Sequence, residues 1–541
     1  MSEKNVISFV FHANLPFVRE SESRFVYEEM PFFETLSLSF IPFLEMLDRF
    51  EAEHIPSHIT LVVSPILCQL LRDELVISRY LDYLNNQIIF GEKEIDRRRD
   101  TPEILVLAQH YYQRACETRT LFTERYQKNI PNVLSAHAQK GRLELMMTAA
   151  MNAYLPFYIN YPSAIDAQIE TAAASHKAFF KDSSQGFWLP ELAYCENLDR
   201  ILRSHQFEWT IIDTHAALLS RPVPETGSFY PLKTKNGLCL LVKDFYAYQD
   251  VMNKESGFAH NKLFRSYFDD AGFDLPLHNV INFLSVEGIR LETGYKYYTQ
   301  GESKEIYNIE QARDAAKKAA GTFLSNRIKS LSEAQNIMHK KAISLSVFPF
   351  KYFGRFWYEG WTFIEEVIRQ GISYPEIEFI TPSAYLYQEK TSDFQLIAPE
   401  YSSSGYNGYA EAYFDSSNNW IYRHLLRAIV RMIELSERFD EESGIRERIL
   451  NQAAREILLA TDAELVKLCA NSEQNIPNEW CCYARDTLKR HIRNFTTLYE
   501  ALGNSRLSVL FLTDLEQKNN VFPEINYRLF RRKKKVELHE R

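Results

Sequence analysis

Gly186-Phe187-Trp188-Leu189-Pro190-Glu191-Leu192-Ala193-Tyr194 is a run of large apolar and aromatic residues that delivers one carboxylate immediately after a proline. Proline fixes its own φ and pushes the preceding residue, Leu189, toward extended backbone. The stretch therefore predicts a buried strand that stops abruptly, with Glu191 at its C-terminal edge. In a barrel of alternating strands and helices, reacting groups sit at that edge. A surface glutamate after a core strand is the plainer reading of the same letters.

Other stretches repeat the pattern of an apolar run closed by polar residues. Residues 6–12 (VISFVFH) predict the first buried strand of a parallel sheet, ending at His12. Residues 59–65 (ITLVVSP) and 142–147 (RLELMM) predict two more, the latter followed by Asn152. Residues 209–215 (WTIIDTH) place Asp213 and His215 on one side of an extended chain. That pair fits either a functional strand end or a structural hydrogen-bond network. Between the second and third strands the chain turns to long charged amphipathic helices. Residues 73–136 thus predict a helical insertion, or more simply two long outer helices.

A chain of 541 residues buries a large core and divides into two or three domains. A net charge of −9 argues against a basic nucleic-acid footprint. Seven scattered cysteines form neither a disulfide framework nor a metal-binding spacing, which fits a reducing cytoplasm. No metal and no cofactor is expected. The opening Met1-Ser2-Glu3-Lys4-Asn5 leads into a strand rather than a signal peptide, and no apolar run reads as long enough to span a bilayer. The expectation is a cytoplasmic protein with no membrane and no nucleic-acid partner.

The Glu191 stretch resembles the nucleophile motif of glycoside hydrolase family 57, in its α-glucan branching-enzyme branch, and the likeness continues nearly end to end. The resemblance implies a distorted (β/α)7-type barrel over residues 1–72 and 137–395, with the helical insertion at 73–136 and an α-helical C-terminal domain at 396–541. It implies an α-glucan or maltooligosaccharide ligand and substrate contacts from His12, Asn152, Trp188, Asp213, His215, Trp357 and Tyr413. Several positions depart from the family pattern. Asn14 and Asn152 stand where histidines are usual, and Pro31, Met252, Ser404 and Tyr413 where tryptophans are usual.

The family cleaves with retention, one carboxylate attacking and a second protonating the leaving oxygen. The second is an aspartate in a motif matched here by residues 344–360, whose tail, Phe353-Gly354 and Trp357-Tyr358-Glu359-Gly360, sets the register. That register puts Pro349 at the acid position, with Lys351 and Arg355 as further departures. No aspartate occurs between Asp314 and Asp393, so sliding the register recovers none. A positioned acid contributes about 10²–10⁴-fold; Glu359, Glu411 and Asp415 are the carboxyls considered as substitutes. Three function classes follow: a non-catalytic or severely impaired branching-enzyme relative, an active retaining glycosyltransferase or amylase-type hydrolase using Glu191, and a protein-interaction scaffold. The changed residues favour the first. Helical periodicity from Trp420 onward closes the chain, and the basic run Arg531 to Lys535 reads as a solvated tail.

Overall fold

The computed structural model describes residues 4–19, 26–286, 288–301, 303–470, 478–504 and 508–533. Met1 to Glu3 of the opening segment, and Lys534 and Lys535 of the basic run, lie outside them.

Ten strands form one sheet: β1 (Asn5–Ala13), β2 (Ile59–Val63), β3 (Leu143–Thr148), β4 (Gly186–Trp188), β5 (Trp209–Ile212), β6 (Leu232–Lys233), β7 (Cys239–Val242), β8 (Ile343–Pro349), β9 (Ile377–Phe379) and β10 (Gln395–Leu396). Their order is β10-β6-β7-β5-β4-β3-β2-β1-β8, with β9 also on β1, and every pair but β6–β7 is parallel. Seven parallel strands, β7-β5-β4-β3-β2-β1-β8, curl until the two ends meet. Closure rests on a parallel bridge between Lys243 and Leu345, with the Asp244 amide donating to the Leu345 carbonyl at 2.9 Å. This is the expected distorted (β/α)7 barrel.

The two-residue period of the strands sorts their side chains into two cores. On β1, Ile7, Phe9 and Phe11 face the surrounding helices. Val6 and Val10 face inward and meet Val62, Met146, Trp188, Trp209, Ile211, Leu241, Leu345 and Val347. The barrel interior is therefore a packed apolar plug, not a channel. One more step along each inward track carries the next side chain above the plug. Those side chains are His12, Ser64, Thr148, Asp213, Lys243 and Pro349, and all of them line one cavity.

Between β2 and β3 run helices Glu74–Arg97 and Pro102–Thr120, the first capped by the Asp73 carboxylate accepting from the Val76 amide at 3.1 Å. The motif tail after β8 is architectural. Gly354 has φ 91°, and a side chain there would collide with the Leu38 carbonyl. Its amide donates to the Trp357 carbonyl at 2.7 Å, closing the turn.

Beyond Trp420 the chain is helical among the described residues, with Trp420–Arg438, Ile445–Ala460 and Asn478–Asn504 the long members. Glu456 is fully buried among them, yet its carboxylate is satisfied by His491, Asn494 and Asn519 at 2.7–3.1 Å. The closing segment packs back on these helices: Arg455 donates to the Val521 carbonyl and the Tyr527 hydroxyl to that of Phe439.

One expectation needs correction. The helical stretch Tyr27–Ala52 is long and apolar enough, by length and composition, to cross a bilayer. Four short segments join end to end there, through a π-helical turn at Thr35–Phe40. Of its most apolar window 78% is buried inside the protein, where Phe33, Phe40, Phe43 and Leu47 enter the main core.

Candidate active site

The C-terminal edge of the barrel opens into a cavity of about 940 Å³. The Glu191 stretch supplies one of the carboxylates that line it. Strand β4 stops at Trp188, and Pro190–Leu192 make a single tight turn. Within it Glu191 adopts left-handed backbone, φ 58° and ψ 22°, and Leu192 follows at φ 50°. Non-glycine residues occupy that region at a cost, and it persists only where the surroundings impose it. Here the Glu191 carbonyl accepts from the Ser404 amide at 2.7 Å.

Three side chains grip the carboxylate. Asn152 Nδ2 donates to Oε1 at 2.6 Å, Ser404 Oγ to Oε2 at 3.1 Å, and the Tyr413 hydroxyl makes a short bond to Oε2. Burial pushes the Glu191 pKa upward, but Lys467 and the Tyr413 and Asn152 donors outweigh it and hold the group below the usual carboxylate range. Glu191 is thus ionised. His12 stacks on Trp188, ring centroids 4.8 Å apart and 17° from parallel. Burial drives the His12 pKa down to about 4, so its imidazole is neutral at pH 7.

Asp213 and His215 both line the cavity and are tied into a hydrogen-bond network there. The Asp213 carboxylate accepts from the Thr214 amide at 2.7 Å and lies 3.3 Å from Lys243 Nζ. Burial raises its pKa, but His215 and Lys243 outweigh that and the net direction is down. His215 Nδ1 lies 3.4 Å from Asp213, and Nε2 2.9 Å from the Gly408 carbonyl; its pKa rises, chiefly through the Asp213 bond.

Pro349, which the resemblance sets at the acid position, lines the cavity and carries no ionisable group. Pro349 ends β8 beside His12, its register partner on β1. None of the substitutes considered lines the cavity. Glu359 is buried elsewhere, accepting from the Tyr307 hydroxyl at 2.7 Å and the Arg265 amide at 3.2 Å. Glu411 accepts from the Tyr409 amide, and Asp415 holds a turn at Ser417. The third cavity carboxylate is instead Glu464, from the short helix Ala463–Leu468 of the C-terminal region. It makes a close ion pair with Lys351. Asp462 next to it is pushed up to about 7 by burial and by Glu464, but it lies outside the cavity lining and caps that helix.

Two expected substrate contacts take other positions. Trp357 is 0% exposed, packed between Phe264, Phe353 and Phe363, and does not line the cavity. Tyr413 does line it but is only 1% exposed, its ring against Tyr154 and its hydroxyl on Glu191. It grips the carboxylate and offers no free face. Pro31, Met252 and Arg355 are absent from the lining; Arg355 pairs with Glu34 at 2.8 Å.

The sequence reading missed Lys243, Glu464 and Lys467. Lys243 follows Leu241 on the inward track of β7, so the two-residue period held the signal. Glu464 and Lys467 arrive from far along the chain, because the Ala463 amide donates to the Asn152 carbonyl and docks the segment on the loop after β3. Among the described residues, one grouping has metal-ligand spacing: Asp48, Glu51 and His137. It lies outside the cavity, and Arg125 and Lys140 already pair with its carboxylates.

Parallel strands that carry side chains to one cavity at their C-terminal ends define a (β/α)-barrel protein with its cleft at that edge. Residues 8–397 match the model of glycosyl hydrolase family 57, and residues 424–530 that of the 1,4-alpha-glucan branching enzyme C-terminal region. The chain belongs to glycosyl hydrolase family 57. It is 21% identical over 558 residues to the 1,4-alpha-glucan branching enzyme TK1436 of Thermococcus kodakarensis, covering 96% of this chain and 77% of that one. In structure it is similar to the alpha-amylase AmyC of Thermotoga maritima, with TM-score 0.89, 27% identity, and 98% and 100% of the two chains covered. The branching enzyme of Pyrococcus horikoshii shares the fold, with TM-score 0.86, 20% identity, and 99% and 98% covered.

Proposed function

We propose that this chain is an α-glucan-binding, branching-enzyme-like member of its family whose centre is non-catalytic or severely impaired. One observation carries the reading: strand β8 ends in Pro349, and among the described residues each carboxyl lining the cavity is held by a cation or by hydrogen-bond donors. A departing sugar oxygen requires that proton. Asp213 is held ionised beside Lys243, and Glu464 is ion-paired with Lys351. An ionised carboxylate such as that of Asp213 accepts hydrogen bonds and cannot give them. Neutral His12, Asn152 and the Asp213–His215 pair still present the donors and acceptors that sugar hydroxyls need. Printed names of relatives, branching enzyme and alpha-amylase, support an α-glucan as the ligand.

The test is prolonged incubation with amylose, assaying new α-1,6 branches and reducing ends, with Glu191→Gln as control and maltooligosaccharide titration alongside. Binding without turnover is expected. Turnover abolished by Glu191→Gln would overturn the non-catalytic reading, and no binding at millimolar sugar leaves only a protein-interaction scaffold.

A second reading, an active retaining transferase or hydrolase, draws support from Glu191 itself, which is kept ionised as a nucleophile must be. Glu464 is then the acid. The seven cysteines are all free, which supports a cytoplasmic location. The division at residues 73, 137 and 396 is proposed with the same reading.

A further inference from the structure

The mouth of the cavity is apolar where its floor is polar. Phe245, Tyr246, Leu218, Leu219 and Tyr406 all line it, and each is exposed. They come from three separate strand-end connections, so no single local sequence accounts for the cluster. Phe245 and Tyr246 open the helix Phe245–Met252 directly after β7, its N-cap Asp244 accepting from the Ala247 amide at 3.0 Å and pairing with Arg327 at 2.7 Å. Tyr246 is 65% exposed and meets Phe245 edge-on at 5.6 Å. Tyr406, 55% exposed, rides on a loop fixed by the Ser403 amide to the Gly408 carbonyl and by Ser404 to Glu191. Both tyrosines therefore stand on anchored backbone, each more than half exposed.

A contiguous exposed apolar patch around a polar pocket marks a binding surface. A sugar chain suits this one: its C–H faces stack on aromatic rings while its hydroxyls reach the polar floor. Further in, the Tyr413 ring is buried, the Trp188 ring is covered by His12, Lys243 Nζ sits 3.9 Å over the Tyr248 ring, and Phe229 is half-buried.

We propose that Tyr246 and Tyr406 form the stacking platform of this site, displaced outward to its rim, so that the cavity selects α-glucan chains long enough to span from floor to mouth. The inference rests on the α-glucan reading above and deepens it. Short sugars occupy the floor alone; longer ones gain both rings.

The test is calorimetric titration of the full chain with maltotriose and maltoheptaose, comparing wild type, Tyr246→Ala, Tyr406→Ala and Tyr387→Ala. Tyr387 is 93% exposed and outside the cavity, so it serves as the control. Each rim variant should weaken maltoheptaose about threefold to tenfold and leave maltotriose unchanged. Tyr406→Trp should tighten maltoheptaose, a gain that a merely structural role does not produce. Unchanged maltoheptaose affinity in both alanine variants overturns the platform and leaves the glucan reading standing. No binding of either sugar by wild type overturns both.

Discussion

Asn152 Nδ2 lies 2.6 Å from Glu191 Oε1, and the carbonyl of the same asparagine accepts from Ala463 at 2.8 Å. One residue thus holds the cavity carboxylate with its side chain and the C-terminal region with its backbone. Hydrogen bonds to a buried charged group contribute about 1.5–3 kcal/mol. Asn152→Ala should lower unfolding free energy by about 1–3 kcal/mol in guanidinium titration. In a Glu191→Gln background the same change should cost less, because the charge it compensates is gone. Equal costs in both backgrounds would show that Asn152 acts through packing.

Pro349 has φ −68° and ψ 121°, backbone that any residue adopts, so Asp enters there without strain. Its carboxyl would emerge beside His12. Pro349→Asp should raise hydrolysis of an aryl maltoside above the wild-type background by less than the roughly 10²–10⁴-fold of a positioned acid. The shortfall follows from Lys351, whose charge favours the ionised form of any neighbouring carboxyl. Adding Glu191→Gln should return the rate to background. A folded Pro349→Asp variant at background would mean that the acid is not the decisive loss.

How far the site was readable depended on where its residues lie on the strands. His12, Trp188 and Asp213 end apolar runs, and the two-residue period carries them to the cavity. Lys243 obeys the same rule but sits after the four-residue strand β7, too short to show alternation by eye. The tail of the β8 motif is the turn that Gly354 makes, yet a motif does not say which way a side chain points. Trp357 faces the core because Gly354 turns the chain there. Ser404 and Tyr413 were legible as altered positions, whereas their joint grip on Glu191 required the fold. Glu464 and Lys467 had no local signal, since a helix hundreds of residues away reaches the cavity only through tertiary docking.

His176 is buried against Phe180, and burial lowers its pKa to about 4 from an ordinary 6.5. Below pH 6.5 the unfolded chain takes up a proton that the folded chain refuses, so stability falls as pH drops from 6.5 toward 4. A shift of that size amounts to about 3 kcal/mol by pH 4. The depressed carboxylates Glu191, Asp213 and Glu456 act in the same direction at lower pH, their contribution present above ordinary carboxylate pKa values and lost as pH falls through the folded ones. Unfolding midpoints measured from pH 7 to 4 should decline, and His176→Gln should flatten the upper part of that slope. An unaltered slope would place the titration elsewhere.

The Lys351–Glu464 pair separates the two readings of the cavity. Its side chains are partly exposed, so the pair itself should contribute no more than about 1 kcal/mol, and less at high salt. Its effect on turnover is the sharper test. Lys351→Met removes the cation that holds Glu464 in its ion pair. If the centre is non-catalytic, amylose treated with this variant stays unbranched and uncut, as with wild type. If Glu464 is a working acid, Lys351→Met changes the rate of turnover, and Lys351→Met with Glu464→Gln abolishes it. The first outcome is expected, because Glu464 hangs from a helix that docks on Asn152, while the strand beside His12 that should carry the acid ends in proline.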